Sequence, residues 1–248
     1  MLLLLIPAAF AAGVVNALAG GGAFLTFPAL LAAGLPAIDA NVSSTVALFP
    51  GQFVSGWASR DVLRTLPGQW RKDLHGLALI SLVGGSVGAL LLLATPSSAF
   101  SRLVPWLLLF ATAVFALGGR LTNRDGPLRL GSPSIKILQF AISIYGGYFG
   151  GGIGILVLAA LAHCGLRDIR IMNGMKVILA ALMSTAAAAI FALSSHVHWL
   201  ETLVMMASAM AGGFAGARLG LVIPQTTIRM FVVAVGCVLT VYFFIKPA

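Results

Sequence analysis

The sequence predicts an all-α membrane protein, a polytopic bundle of transmembrane helices built from two inverted repeats, with short broken or re-entrant helices at two glycine triplets. Three observations carry this reading. Of the 248 residues, 60% are hydrophobic and only 8% charged, too few charges to cover a globular surface. Apolar runs approaching the roughly 20 residues needed to cross a hydrocarbon core of about 30 Å follow one another along the chain. The clearest run from Leu74 to Ala94, Phe100 to Leu117, Val177 to Leu193, Leu200 to Leu219 and Ile228 to Ile245. Finally, Gly20-Gly21-Gly22 and Gly150-Gly151-Gly152 interrupt otherwise apolar stretches at corresponding places in the two halves.

Apolar runs set against their breakers predict helices at 2–18, 21–34, 39–59, 74–94, 98–119, 134–149, 152–165, 171–194, 199–220 and 226–245. The first begins Met1-Leu2-Leu3-Leu4-Leu5 without a basic lead, so it reads as a membrane element and not as a cleaved leader. The second and seventh are short, and each opens at a triplet. Residues 2–34 and 134–165 each fit either a re-entrant hairpin or two full spans. The polar stretch 120–133 is the one plausible linker, cytoplasmic by its charge. It divides a single integral membrane domain into an N-terminal repeat, 1–119, and a C-terminal repeat, 134–248.

The two halves read as diverged copies. Besides the triplets, Gly34-Leu35 matches Gly165-Leu166 and Asn41 matches Asn173. Gly84-Gly85-Ser86-Val87-Gly88-Ala89 matches Gly212-Gly213-Phe214-Ala215-Gly216-Ala217, and Pro96 and Arg102 match Pro224 and Arg229. The offset stays between 127 and 132 residues throughout.

A formal net charge of +9 would suggest nucleic acid in a soluble protein, but here the cations sit in short loops and not on a face. Residues 60–73, 120–136, 167–176 and 218–229 hold thirteen of the fifteen basic residues, which puts those turns in the cytoplasm and the turns near Thr95 and His198 outside. The third element then runs outside to inside and its counterpart, the eighth, inside to outside, so the repeats are antiparallel.

Several chemistries lack support. No GxxxxGK[ST], HExxH or CxxC occurs. Cys164 and Cys237 read as small apolar core residues. His75, His163, His196 and His198 have no metal spacing and read as satisfied interfacial side chains, with His196 and His198 in an external turn. Trp57, Trp70, Trp106 and Trp199 fall where an aromatic belt would put them. No carboxylate lies clearly within a span, so no dedicated proton carrier is visible. No cofactor, metal or nucleic-acid partner is expected, and the chain is not read as an enzyme.

A glycine triplet weakens a helix and frees its amides, and in hydrocarbon such a break is tolerated only inside protein or along a wet cavity. A short helix starting there aims its N-terminal N–H groups, and the positive end of its dipole, at the break, which suits an anion. Inverted repeats would bring two such ends to one site. Gly84-xxx-Gly88 and Gly212-xxx-Gly216, by contrast, read as close helix packing.

The pattern Asn16-Ala17-Leu18-Ala19-Gly20-Gly21-Gly22, its partner Tyr145-Gly146-Gly147-Tyr148-Phe149-Gly150-Gly151-Gly152-Ile153-Gly154 and the later Asn173-Gly174-Met175-Lys176 resemble the TauE/SafE sulfite exporter family. The resemblance covers essentially the whole chain in order. It implies transport, most simply export, of sulfite or a small organosulfur anion such as sulfoacetate across the bacterial inner membrane. Candidate substrate-binding residues are Gly20, Gly21, Gly22, Gly150, Gly151 and Gly152, with Asn41, Ser44, Asn173 and Lys176. Asn41 and Asn173 could donate to a sulfonate or cap a helix, and Ser43, Ser44 and Thr45 to a ligand or to their own backbone. Lys176, three residues beyond Asn173 on one helical face, needs an anion unless it snorkels to the cytoplasm. An anion channel and a membrane-embedded enzyme subunit are the alternatives. Beyond the lipid bilayer and the anion, a homodimer is left open as a partnership.

Overall fold

Among the described residues ten α-helices form, in the order the breakers dictate. In the computed structural model, residues 2–66, 68–122, 132–166, 168–219 and 225–246 are described. The helices are α1 (Leu2–Ala19), α2 (Ala23–Ala32), α3 (Ala37–Ala58), α4 (Gly68–Ala94), α5 (Ser97–Thr122), α6 (Ser132–Tyr148), α7 (Ile153–His163), α8 (Ile169–Ala192), α9 (Trp199–Leu219) and α10 (Gln225–Ile245). Residues 73–94, 97–118 and 169–192, of α4, α5 and α8, are long and apolar enough to cross a bilayer. With 10 and 11 residues, α2 and α7 extend about 15–17 Å at 1.5 Å per residue, half a hydrocarbon core. Neither can be a full span. The middle of the predicted linker, 123–131, lies outside the described residues, as do Arg124, Arg129, Arg167 and Pro224.

Three expectations need correction. A 3₁₀ segment, Ser59–Thr65, follows α3, and α4 starts at Gly68, six residues before the apolar run suggested. The extension is held by Trp70, only 5% exposed in a cluster with Leu66, Leu77, Ile135 and Ile153, so this tryptophan belongs to the core and not to an interfacial belt. Cys237 is exposed on α10 and not buried.

Packing couples the halves. α1 lies along α9 and α4 along α6, while α3 meets α8 and α5 meets α10. Small residues make the first two contacts. A Cβ at Gly88 would strike the Ile144 carbonyl and the Tyr148 amide, and one at Gly147 the Gly85 carbonyl; in the other pair Gly13 faces Ala209 and Gly212 faces Phe10. Backbones this close gain van der Waals contact that no larger residue permits. Gly88→Val is therefore expected to destabilise the protein by at least about 1–3 kcal/mol through overpacking, read as a lower melting temperature in detergent.

Candidate functional site

Both triplets break the chain with the same conformation at their first glycine: Gly20 has φ +77° and Gly150 φ +82°, the left-handed region that side chains avoid. Each short helix then begins without a side-chain cap, on Gly22 for α2 and on Gly152, at φ +76°, for α7. α8 is different: the Asp168 carboxylate accepts from the N–H of Arg170 at 2.9 Å and of Ile171 at 3.1 Å. Where α8 consumes its first amides on a cap, α7 leaves those of Ile153 and Gly154 unspent.

The breaks sit near the middle of the bundle. A Cβ on Gly22 would lie 3.2 Å from Leu48, halfway along α3, and one on Gly151 would lie 3.1 Å from Ala111 in the middle of α5. One side chain joins them. The buried Phe115 ring lies 3.0 Å from the Cβ position of Gly21 and 3.6 Å from that of Gly152. It stacks edge-on against Phe24, and Phe27 does the same against Phe149. The two triplets thus converge, and what stands between them is aromatic.

On one side of this aromatic cluster lies a cavity of about 80 Å³ lined by Asn16, Ala17, Gly20, Gln52, Ser55, Ile153, Gly154, Lys176, Val177 and Ala180. That is several times the roughly 10–15 Å³ one water requires. It meets the end of α1, the last two turns of α3, the start of α7 and the second turn of α8. The Lys176 stem crosses the first turn of α7, its Cδ 3.4 Å from where a Gly154 Cβ would be. Its Nζ donates to Asn173 Oδ1 at 3.2 Å. Among the described residues no carboxylate comes within ion-pair distance of it. The Gln52 Oε1 atom is buried with no hydrogen-bond partner.

Of the residues singled out in the sequence, Gly20 and Lys176 line this cavity and Asn173 steadies Lys176. Gly21, Gly22, Gly151 and Gly152 surround Phe115 and its neighbours, and Gly150 makes the turn after α6. Asn41 and Ser44 do not reach the cavity. Asn41, 2% exposed, donates through Nδ2 to the Tyr148 carbonyl at 2.9 Å and closes the frayed end of α6. Ser44 shares a 2.6 Å hydrogen bond with Thr26, which in turn donates to the Gly22 carbonyl. Asn41→Ala would orphan a buried carbonyl, so a loss of about 1–3 kcal/mol is expected, measured as a fall in melting temperature with the fold retained.

Sequence reasoning missed Asn16, Gln52 and Ser55. Polar residues on the inner face of a helix beside a glycine break were the available signal for the first. At the turn after α7, burial pushes the Cys164 thiol up, away from the reactive thiolate form.

Paired helix breaks, a cation with no carboxylate partner among the described residues and a cavity roomy enough for several waters inside an apolar bundle fit a polytopic membrane transporter. A model of the family described as Sulfite exporter TauE/SafE matches residues 5–243, and the chain belongs to that family. It is 28% identical to a "Probable membrane transporter protein" of Haemophilus influenzae over 97% of this chain and 93% of that one. It is 27% identical to "Probable membrane transporter protein ORF9" of Sinorhizobium sp over 100% and 94%. It is also 28% identical to "Probable membrane transporter protein YfcA" of Escherichia coli K12 over 94% and 85%. No solved structure matches the chain significantly.

Proposed function

We propose that this protein is a secondary transporter, not an enzyme, that exports sulfite or a small organosulfur anion such as sulfoacetate across the bacterial inner membrane by alternating access. The observation that carries the proposal is the cavity where Lys176, without a carboxylate partner among the described residues, meets the uncapped start of α7. A cation and free amides at a helix N-terminus are the groups an oxyanion requires. The glycines act as the framework that brings this helix end to the cavity. Asn16, Gln52 and Ser55 complete the wall; the orphaned Gln52 Oε1 is an acceptor, so it takes a donor there, a water or the O–H of a protonated anion such as bisulfite, and not a bare oxyanion oxygen.

The cavity lies toward the end of the bundle that carries Arg60, Arg64, Arg71, Lys136 and Arg170, the cytoplasmic end by the charge rule. The rings of Phe24, Phe27, Phe115 and Phe149 close the path beyond it, so the conformation is inward-facing. Exchange of packing partners between the halves, α1 with α9 where α6 takes α4, supports the inverted-repeat reading. The inside-negative potential drives export. Equilibrium binding of sulfite, sulfate, thiosulfate and short sulfonates to the purified protein tests the reading: saturable binding of at least one sulfur oxyanion is expected, and none for any of them would overturn it.

A further inference from the structure

Away from the cavity, at the opposite end of α3, three titratable side chains meet. Asp39 lies in the first turn of α3; His196 and His198 lie in the turn between α8 and α9, some 157 and 159 residues along the chain. His196 Nδ1 is 2.6 Å from Asp39 Oδ1 and His198 Nε2 is 3.0 Å from Oδ2, so each carboxylate oxygen takes one ring. The His198 N–H also donates to the buried Ser43 hydroxyl at 3.1 Å. The carboxylate is 16% exposed and the rings are 38% and 41% exposed, so protons from the adjoining water can reach the group.

We propose that Asp39, His196 and His198 form a proton-binding site that latches the outer ends of α3 and the α8–α9 turn together. A neutral imidazole carries one N–H, and the two bridges demand opposite tautomers, with the proton on Nδ1 of His196 and on Nε2 of His198. A protonated ring has both. Protonation therefore secures each bridge and turns a bond to one ionised partner into a bond between two opposite charges, which is stronger. The closed arrangement brings the carboxylate to the rings and the open one does not, so protons bind the closed state more tightly and acid shifts the population toward it. Histidine changes charge between roughly pH 5 and 8, which makes the latch responsive to the water outside.

The surroundings leave the trio to itself. α3 packs against α1, α2, α5, α8 and α9. α1 and α2 carry no titratable side chain. α9 brings Glu201 in its first turn, α5 brings Arg102 near its outer end, and Tyr148 at the end of α6 bonds to Thr95. Among the described residues Asp39 has no ion-pair partner other than the two histidines. Beneath the latch lies Ala40, fully buried, beside the Asn41 side chain that closes α6. Opening the latch would admit water there. For transport, the consequence is that acid outside holds the protein inward-facing; that consequence rests on the alternating-access reading, whereas the latch does not.

Cysteine accessibility in the full-length protein tests this without any transport assay. Cys164 and Cys237 are first replaced by Ala, and Ala40→Cys is introduced, with Ser98→Cys, exposed at the start of α5 and outside the latch, in a parallel protein as the reference. Both are labelled by a charged, membrane-impermeant methanethiosulfonate. Only the thiolate reacts, and below both thiol pKa values its fraction falls in parallel at the two positions, so the ratio of the Ala40→Cys rate to the reference rate cancels that common pH dependence. It is expected to fall several-fold from about pH 8 to about pH 5.5, across the range in which histidine ionises. With Asp39→Asn, or with His196→Gln and His198→Gln together, the ratio should stay high and flat. The histidine pair serves where the Asp39 variant folds poorly. A ratio that is independent of pH in the intact latch, or that changes equally in the variants, overturns the proposal. Failure of every sulfur anion to bind would sink the transport reading and leave this result standing.

Discussion

Lys176→Met is expected to reduce anion flux at least tenfold while leaving the protein as stable as before, or more so. Lys176 is a part-buried cation whose single hydrogen bond goes to Asn173, with no carboxylate partner among the described residues. Removing a buried charge that lacks a counter-charge relieves a desolvation cost, and a methionine of similar length fills the stem's place over Gly154. If the residue contacts the anion, the variant loses a charge-assisted hydrogen bond of about 1.5–3 kcal/mol, equivalent to roughly 10- to 150-fold in affinity. Flux in proteoliposomes, measured beside the melting temperature, separates the two effects. A snorkelling lysine with no ligand would give unchanged flux. Lys176→Arg keeps the charge and should retain part of the activity.

Gly152→Val is expected to abolish flux with normal membrane insertion. Gly152 is the residue before α7 at φ +76°, where a non-glycine residue costs about 1–2 kcal/mol and a β-branched one more. To escape the strain, the chain must rotate Gly152 and redirect the N–H groups of Ile153 and Gly154, which border the cavity. The new side chain would also crowd Val114 and Phe115, 3.5 and 3.6 Å from the Cβ position. Gly165→Val supplies the control. Its φ of +86° imposes similar strain, but nothing lies within 4 Å of its Cβ position and it sits at the far end of α7. It should lose comparable stability and keep its flux; equal loss in both would mean that strain alone accounts for the effect.

Much of the architecture was legible because hydrophobic runs and glycine breaks are local. The starts of α5, α6 and α7 fall within two residues of the positions the breakers suggest, and Gly20 and Gly150, the first residues of the two triplets, both take a positive φ. The 3₁₀ segment after α3 was not legible: Ser59–Thr65 is polar, and it is ordered by apolar contacts of Val62 and Leu63 with a distant cluster. The site divided along the same line. Lys176 and Gly20 were found through motif position. Gln52 and Ser55 were missed because they lie late in α3, facing residues from the other half of the chain. Asn41, open in the sequence to either a ligand or a helix end, donates to the Tyr148 carbonyl at the end of α6. The histidines of the outer turn were read as satisfied interfacial side chains, but their partner could not be named because Asp39 is nearly 160 residues away in sequence.

The central claim is that an oxyanion sits between Lys176 and the start of α7, and anomalous scattering from selenite bound to crystals of the protein tests it most directly. Selenite presents the same pyramidal oxyanion as sulfite with a heavier centre. The account predicts one selenium peak in the cavity bounded by Gly20, Gln52 and Ser55, within hydrogen-bond reach of Lys176 Nζ and of the Ile153 or Gly154 N–H, and absent from Lys176→Met. A strong peak elsewhere in the bundle, or one that survives in Lys176→Met undiminished, would contradict it.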